Sequence, residues 1–187
     1  NHCLGDASNH FTVLNAFNNF ASLPNHHFVI KSELIEINDV RFYCFAYFGD
    51  FESIQNEINR INKELDNKYK NILLFHYPTK NALLDNGLPA SSGLELTEDI
   101  VGNFDLVLGG DYHKHQQLLN AHNAYYVGAP FMLVSNEDPR KGYLILDLDT
   151  LKFEHFPNEL DIKLFKGDID KFNEVKNKYN TKQIFMQ

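Results

Sequence analysis

The fold class expected for this 187-residue chain is α/β, and three observations set that expectation. Short β-rich runs alternate with helical periodicity from about His27 onward. Two later runs, Asn71-Ile72-Leu73-Leu74-Phe75-His76 and Phe104-Asp105-Leu106-Val107-Leu108, are almost wholly apolar, which suits parallel strands covered on both faces. Ahead of them lies a long amphipathic stretch of the kind that covers a sheet.

The elements follow in order. Phe28-Val29-Ile30, Leu34–Ile37 and Val40–Tyr47 read as strands, the last two joined by a tight turn at Asn38-Asp39. Asp50 caps a helix reaching about Tyr69, because Phe51, Ile54, Ile58, Ile61, Leu65 and Tyr69 recur three or four apart, with Glu64 and Lys68 paired on its wet side. The first apolar strand comes next and closes on His76. A Gly/Pro/Ser-rich loop, Asn86 to Gly93, leads to a short helix capped by Thr97. After the second apolar strand the pattern turns antiparallel at Gln117–Asn120, Ala124–Val127 and Tyr143–Asp149. Beyond Thr150 a strand near Leu151–Phe156 and a helix from Asp168 to about Tyr179 read as a different segment, so the expected division is 1–150 and 151–187.

Composition narrows the function classes. With 43% hydrophobic and 13% aromatic residues, wholesale disorder is excluded. No apolar run approaches the ~18 residues of a membrane span, and no signal peptide opens the sequence. Cys3 and Cys44 make no disulfide scaffold and no C-x-x-C pair, so a reduced, cytoplasmic protein is expected. A net charge of −8 with three arginines argues against a broad basic face wrapped by DNA. Any basic grip is local, at Lys80, Lys114, Arg140 and Lys141, and bound cations can supply positive charge. The sequence starts at Asn1 without Met and ends on an apolar stretch, so both ends are expected to be cut.

Three polar features sit where strands end or the chain begins: Asn1-His2, His76, and Gly110-Asp111-Tyr112-His113-Lys114-His115. In open α/β sheets the ligand crevice lies beyond the carboxyl ends of the strands. Two parallel strands ending in His and Asp would aim both at one crevice, and imidazole with carboxylate suits Mn, Fe or Zn. The plain alternative is that each is a hydrogen-bonded surface or turn residue, and the residues alone leave both readings open. His10, His26, His27, His122 and His155 lie in polar contexts without a partner, and Cys44 reads as core. Ser91-Ser92-Gly93 lacks a nucleophile elbow, and no phosphate-binding glycine loop occurs.

These features resemble the calcineurin-like metallophosphoesterases, whose motifs run D-x-H, G-D-x-x-D, G-N-H-D/E, a strand-terminal His and G-H-x-H. Asn1-His2-Cys3 is similar to the end of G-N-H-D/E, His76 to the isolated His, and Gly110-Asp111-Tyr112-His113 to G-H-x-H. Tyr126-Val127-Gly128-Ala129-Pro130 and Lys141-Gly142-Tyr143 resemble segments of the SbcD-type DNA repair and recombination nucleases, phage ones included. The resemblance covers about 1–150 and implies a sandwich of two mixed β-sheets flanked by helices, its N-terminal part missing, with 151–187 beginning a capping domain. It further implies two divalent metal ions, Mn2+ first, with Mg2+, Fe2+ or Zn2+ as alternatives. Asn1, His76 and Asp111 would hold one metal, His113 the other, and His2 would be the general acid of metal-dependent DNA cleavage. His115 is expected in a surface or substrate-side role. The implied partners are DNA, an SbcC-like coiled-coil ATPase subunit, and a polypeptide supplying the missing N-terminal half.

Three departures bear on this. The family's D-x-H and G-D-x-x-D, which would precede Asn1-His2-Cys3, are not in the sequence ahead of it, Asp111 stands where the family has His, and Cys3 replaces an acidic residue. Weakened catalysis follows, and exposed edges at the strands ending near His76 and Asp105. A phosphoesterase acting on a small substrate, or an inactive scaffold for an ATPase, are the competing readings.

Overall fold

A computed structural model describes residues 24, 27, 29, 31–47, 50–84, 87–133, 137–138, 140–158 and 171–174, and the backbone alone of four further short strands. Those strands are β1 (Leu4–Asp6) antiparallel to β2 (Phe11–Thr12), and, near the other end, β11 (Lys163–Phe165) parallel to β12 (Ile184–Met186).

The body is an α/β arrangement around a mixed six-stranded sheet. It contains β3 (Glu33–Ile37), β4 (Val40–Phe45), β5 (Lys70–His76), β6 (Leu106–Gly110), β7 (Gln116–Gln117) and β8 (Ala124–Tyr126), in the order β3-β4-β5-β6-β8-β7. β4, β5, β6 and β8 run parallel, while β3 and β7 are antiparallel edges. The Asn38-Asp39 turn joins β3 to β4, with Asn38 at φ 55° as a tight turn requires. The pattern after the second apolar run is therefore antiparallel only in part. β8 pairs parallel with β6, because the connection through β7 turns back before β8 begins.

Helix α1 (Phe51–Glu64) crosses between β4 and β5. Asp50 caps it by accepting from the backbone N–H groups of Glu52 and Ser53 at 3.1 and 3.2 Å. It ends five residues before the expected Tyr69. Leu65 leaves helical geometry at ψ 133°, and Asp66 Oδ1 accepts the Lys68 N–H at 3.0 Å, closing a local turn that competes with the helix. Glu64 accordingly pairs with Arg60 and not with Lys68. Tyr69 becomes a platform for the Arg41 guanidinium, 3.7 Å above its ring. Thr97 caps α2 (Glu98–Asn103) as the sequence indicates.

Alternation along the central strands builds two cores. Leu73, Phe75 and Val107 face Ile58 of α1, Ile100 and Val101 of α2, and Phe104. Ile72 and Leu106, with Val40, face the other way, where Leu146, Leu148, Leu151 and Phe153 cover them. These last belong to, or connect, an antiparallel hairpin of β9 (Gly142–Leu146) and β10 (Phe153–Pro157), which spans position 150. The expected strands at Tyr143–Asp149 and Leu151–Phe156 are thus a single two-stranded unit, with bounds that differ by one to three residues. The strands ending at His76 and after Asp105 expose no edge, since β5 lies between β4 and β6 and β6 between β5 and β8. Of the expected strand at Phe28-Val29-Ile30, only Val29 is described, and it is not a strand. Of the helix expected over Asp168–Tyr179, residues 171–174 are described and helical.

Candidate functional site

The carboxyl ends of β5 and β6 bring His76 and Asp111 together. His76 and Gly110 are register partners in the parallel ladder, so the next residue, Asp111, emerges beside the imidazole. The separation is 4.0 Å from His76 Nε2 to Asp111 Oδ1. Gly110 permits this approach, since a Cβ there would lie 2.5 Å from His76 Nδ1. Asp111 takes φ 102°, a left-handed conformation costing about 1–3 kcal/mol in a non-glycine residue, and such outliers cluster at functional sites.

Buried tyrosines hold the two strand ends in place. Tyr77, directly after His76, donates its hydroxyl to the Ala46 carbonyl at 3.0 Å. Tyr126 donates to the Tyr77 carbonyl at 2.8 Å, and Tyr112 packs edge-on against the Tyr126 ring at 4.8 Å between centroids. Burial pushes the Tyr112 phenol up, and the neighbouring Asp111 charge adds to it. These phenols are neutral anchors.

His113 turns away from the strand axis toward a buried ion pair. Its Nδ1 lies 2.7 Å from Glu137 Oε1, while Glu137 Oε2 accepts from Lys141 Nζ at 3.0 Å and from the Leu133 N–H at 3.1 Å. Lys141 also donates to the His113 carbonyl at 2.9 Å, and both the Glu137 and Lys141 side chains are 1% exposed. Burial pushes the Glu137 carboxyl up, but the hydrogen bonds from His113, Leu133 and Lys141 outweigh it and hold the group below its ordinary value. Gly128, at φ 87°, lets the following segment lie against this loop, where the Ala129 N–H donates to the His113 carbonyl at 3.1 Å.

His115 is tied down structurally. Its Nδ1 lies 2.8 Å from the Tyr126 carbonyl, and its ring stacks between Tyr125 and His155 at 6.0 and 5.1 Å. His155, expected to lack a partner, thus links the hairpin to the six-stranded sheet. Burial, then the neighbouring His115 and Arg140, lower its pKa. His27 also has a partner, Glu33 at 3.2 Å.

The expected basic grip is largely engaged internally. Lys141 is buried against Glu137, Lys80 pairs with Glu95, and Arg140 pairs with Asp138 at 2.6 Å. A cation that neutralises a buried carboxylate cannot also contact a phosphate, so Lys141 leaves the list of DNA-binding candidates.

Asn1, His2 and Cys3 lie outside the described residues. His76 and Asp111 meet, and His113 shares their loop but is joined to Glu137. Among the described residues, no three His, Cys, Asp or Glu side chains gather as a metal cluster. The imidazole–carboxylate pair is the right donor chemistry for a divalent ion, yet supplies two ligands where a protein site needs more. Glu137 was not legible as a site residue, because Ser135-Asn136-Glu137-Asp138-Pro139 reads as a polar exposed turn. The chain matches no protein-family model, and no curated protein is significantly similar to it.

Proposed function

We propose that this chain takes part in metal-dependent phosphodiester hydrolysis, as a DNA exonuclease or endonuclease in repair or recombination. The observation that supports the reading is the convergence of His76 and Asp111, 4.0 Å apart at the carboxyl ends of adjacent parallel strands, with His113 two residues further on. The motif order quoted above supports it from the sequence side. In this reading His76, Asp111 and Asn1 hold one divalent ion and His113 holds the other. When bound, the ions, Mn2+ first, supply Lewis-acid charge neutralisation at the phosphate oxygens. His2 gives its proton to the leaving oxygen, and the strained Asp111 turn keeps a carboxylate at the mouth of the crevice. In this reading a partner polypeptide of the kind the resemblance implies supplies the remaining ligands.

The test is Mn2+-dependent cleavage of linear duplex DNA by the protein expressed with any residues encoded upstream of Asn1. Cleavage should require the metal, and His2→Ala should slow it by about 10²–10⁴-fold, the usual contribution of a general acid. Cleavage that persists without metal, or that is unchanged in both His76→Ala and Asp111→Asn, overturns the reading.

A second reading, an inactive docking module for a coiled-coil ATPase, is favoured by the absence of a three-donor cluster among the described residues. Elemental analysis of purified protein separates the two, because a docking module holds no stoichiometric metal. A small-substrate phosphoesterase is favoured instead by the internal pairing of Lys80, Arg140 and Lys141. Weak DNA binding with little salt dependence would identify it.

A further inference from the structure

We propose that Glu137 is a positioning residue for His113, with Lys141 as the buried counter-charge that makes this role tolerable. The inference rests on the metal-dependent reading above and deepens it by assigning a residue that no motif of the sequence marks. The geometry is specific. Glu137 Oε1 sits 2.7 Å from His113 Nδ1, so the neutral ring carries its proton on Nδ1 and donates it to the carboxylate. The lone pair is then on Nε2, the ring atom that can meet a divalent ion. Metal-binding histidines are commonly oriented by such a carboxylate on the other nitrogen.

The carboxylate itself is held on every side. Its second oxygen accepts from Lys141 and from the Leu133 backbone, and Lys141 reaches over to the His113 carbonyl. Lys141 therefore grips both the orienting acid and the backbone of the residue being oriented. A surface pair would not be buried to 1% exposure at both side chains, nor would it close a ring of hydrogen bonds through the backbone of the strand-end loop. Stability alone does not account for the arrangement, because an apolar pair of similar volume usually serves a buried position at least as well.

The experiment compares the wild-type protein, carrying any residues encoded upstream of Asn1, with His113→Ala and with the double variant Glu137→Leu/Lys141→Met. The double variant removes the acceptor without stranding a buried charge. Two readings are taken: the His113 tautomer, from imidazole 15N chemical shifts of metal-free protein at about pH 8, where an ordinary histidine is neutral, and the affinity for Mn2+ alone by calorimetry. Wild type should show the Nδ1–H form and the double variant a shift toward Nε2–H, with Mn2+ affinity falling about 10- to 100-fold, the usual cost of losing such a partner. An unchanged tautomer in the double variant overturns the inference, whatever the metal does. A shifted tautomer with unchanged Mn2+ affinity overturns it too, provided His113→Ala weakens binding. If His113→Ala leaves Mn2+ binding intact, the metal role of His113 fails, and with it the reading on which the inference rests.

Discussion

Lys141→Met tests whether the buried ion pair carries the weight its geometry implies. Lys141 Nζ is 3.0 Å from Glu137 Oε2, and both side chains are almost fully enclosed. Removing the ammonium leaves a buried carboxylate with hydrogen bonds but no counter-charge, which typically costs about 3–5 kcal/mol. For a chain of this length, each kcal/mol corresponds to roughly 2–4 °C in Tm, so a fall of roughly 6–20 °C is expected. Thermal and urea unfolding followed by circular dichroism measure it. The deficit should shrink with acid. In the wild type the Glu137 carboxyl is held below its ordinary 4.5, so its stabilisation is present above about 4.5 and lost as pH falls through the lower folded value. In Lys141→Met the uncompensated acid protonates more readily, and the variant approaches the wild type as pH drops toward 4.5. Adding Glu137→Leu should restore at least half the loss at neutral pH. A single-variant loss below about 1 kcal/mol, the value of an exposed pair, would refute the argument.

Gly110→Ala places a Cβ 2.5 Å from the His76 ring; that ring is 47% exposed and can swing aside, so stability should change by less than about 1 kcal/mol while Mn2+ affinity falls. Gly109→Ala instead meets the buried Phe75 and Tyr126 rings at 2.6 and 2.9 Å and should cost about 1–3 kcal/mol in urea unfolding. Tyr126→Phe removes the buried hydroxyl that donates to the Tyr77 carbonyl and the Thr79 hydroxyl, an expected loss of about 1–3 kcal/mol by the same measurement. Burial pushes the Cys44 thiol up to about 11, so native protein should resist alkylation at Cys44 until it unfolds, as peptide mass spectrometry can read. Because the neutral thiol is the folded form, its contribution is full below pH 9.0 and is lost as pH rises toward about 11.

Local chemistry made much of this protein legible in its sequence. The apolar runs ending at His76 and Leu108 suited strands covered on both faces, and they are the interior β5 and β6. Asp50 and Thr97 announced two helix starts because a short polar side chain satisfies otherwise unpaired N–H groups. Period-two and period-3.6 patterns are properties of neighbouring residues, so they survive without knowledge of the rest of the chain. The end of α1 did not, because Leu65 and Tyr69 fit the helical period yet are claimed by the core and by Arg41. The meeting of His76 with Asp111 followed from strand order, which the two apolar runs suggested and only pairing decided. Lys141 stood out in the sequence only as a basic candidate for a phosphate, and its pairing with Glu137 lay beyond sequence reasoning. Their charges look like solvent-facing ones until the loop after β8 folds over His113, and burial, a property of the assembled molecule, turns an ordinary acid and base into a fixed pair.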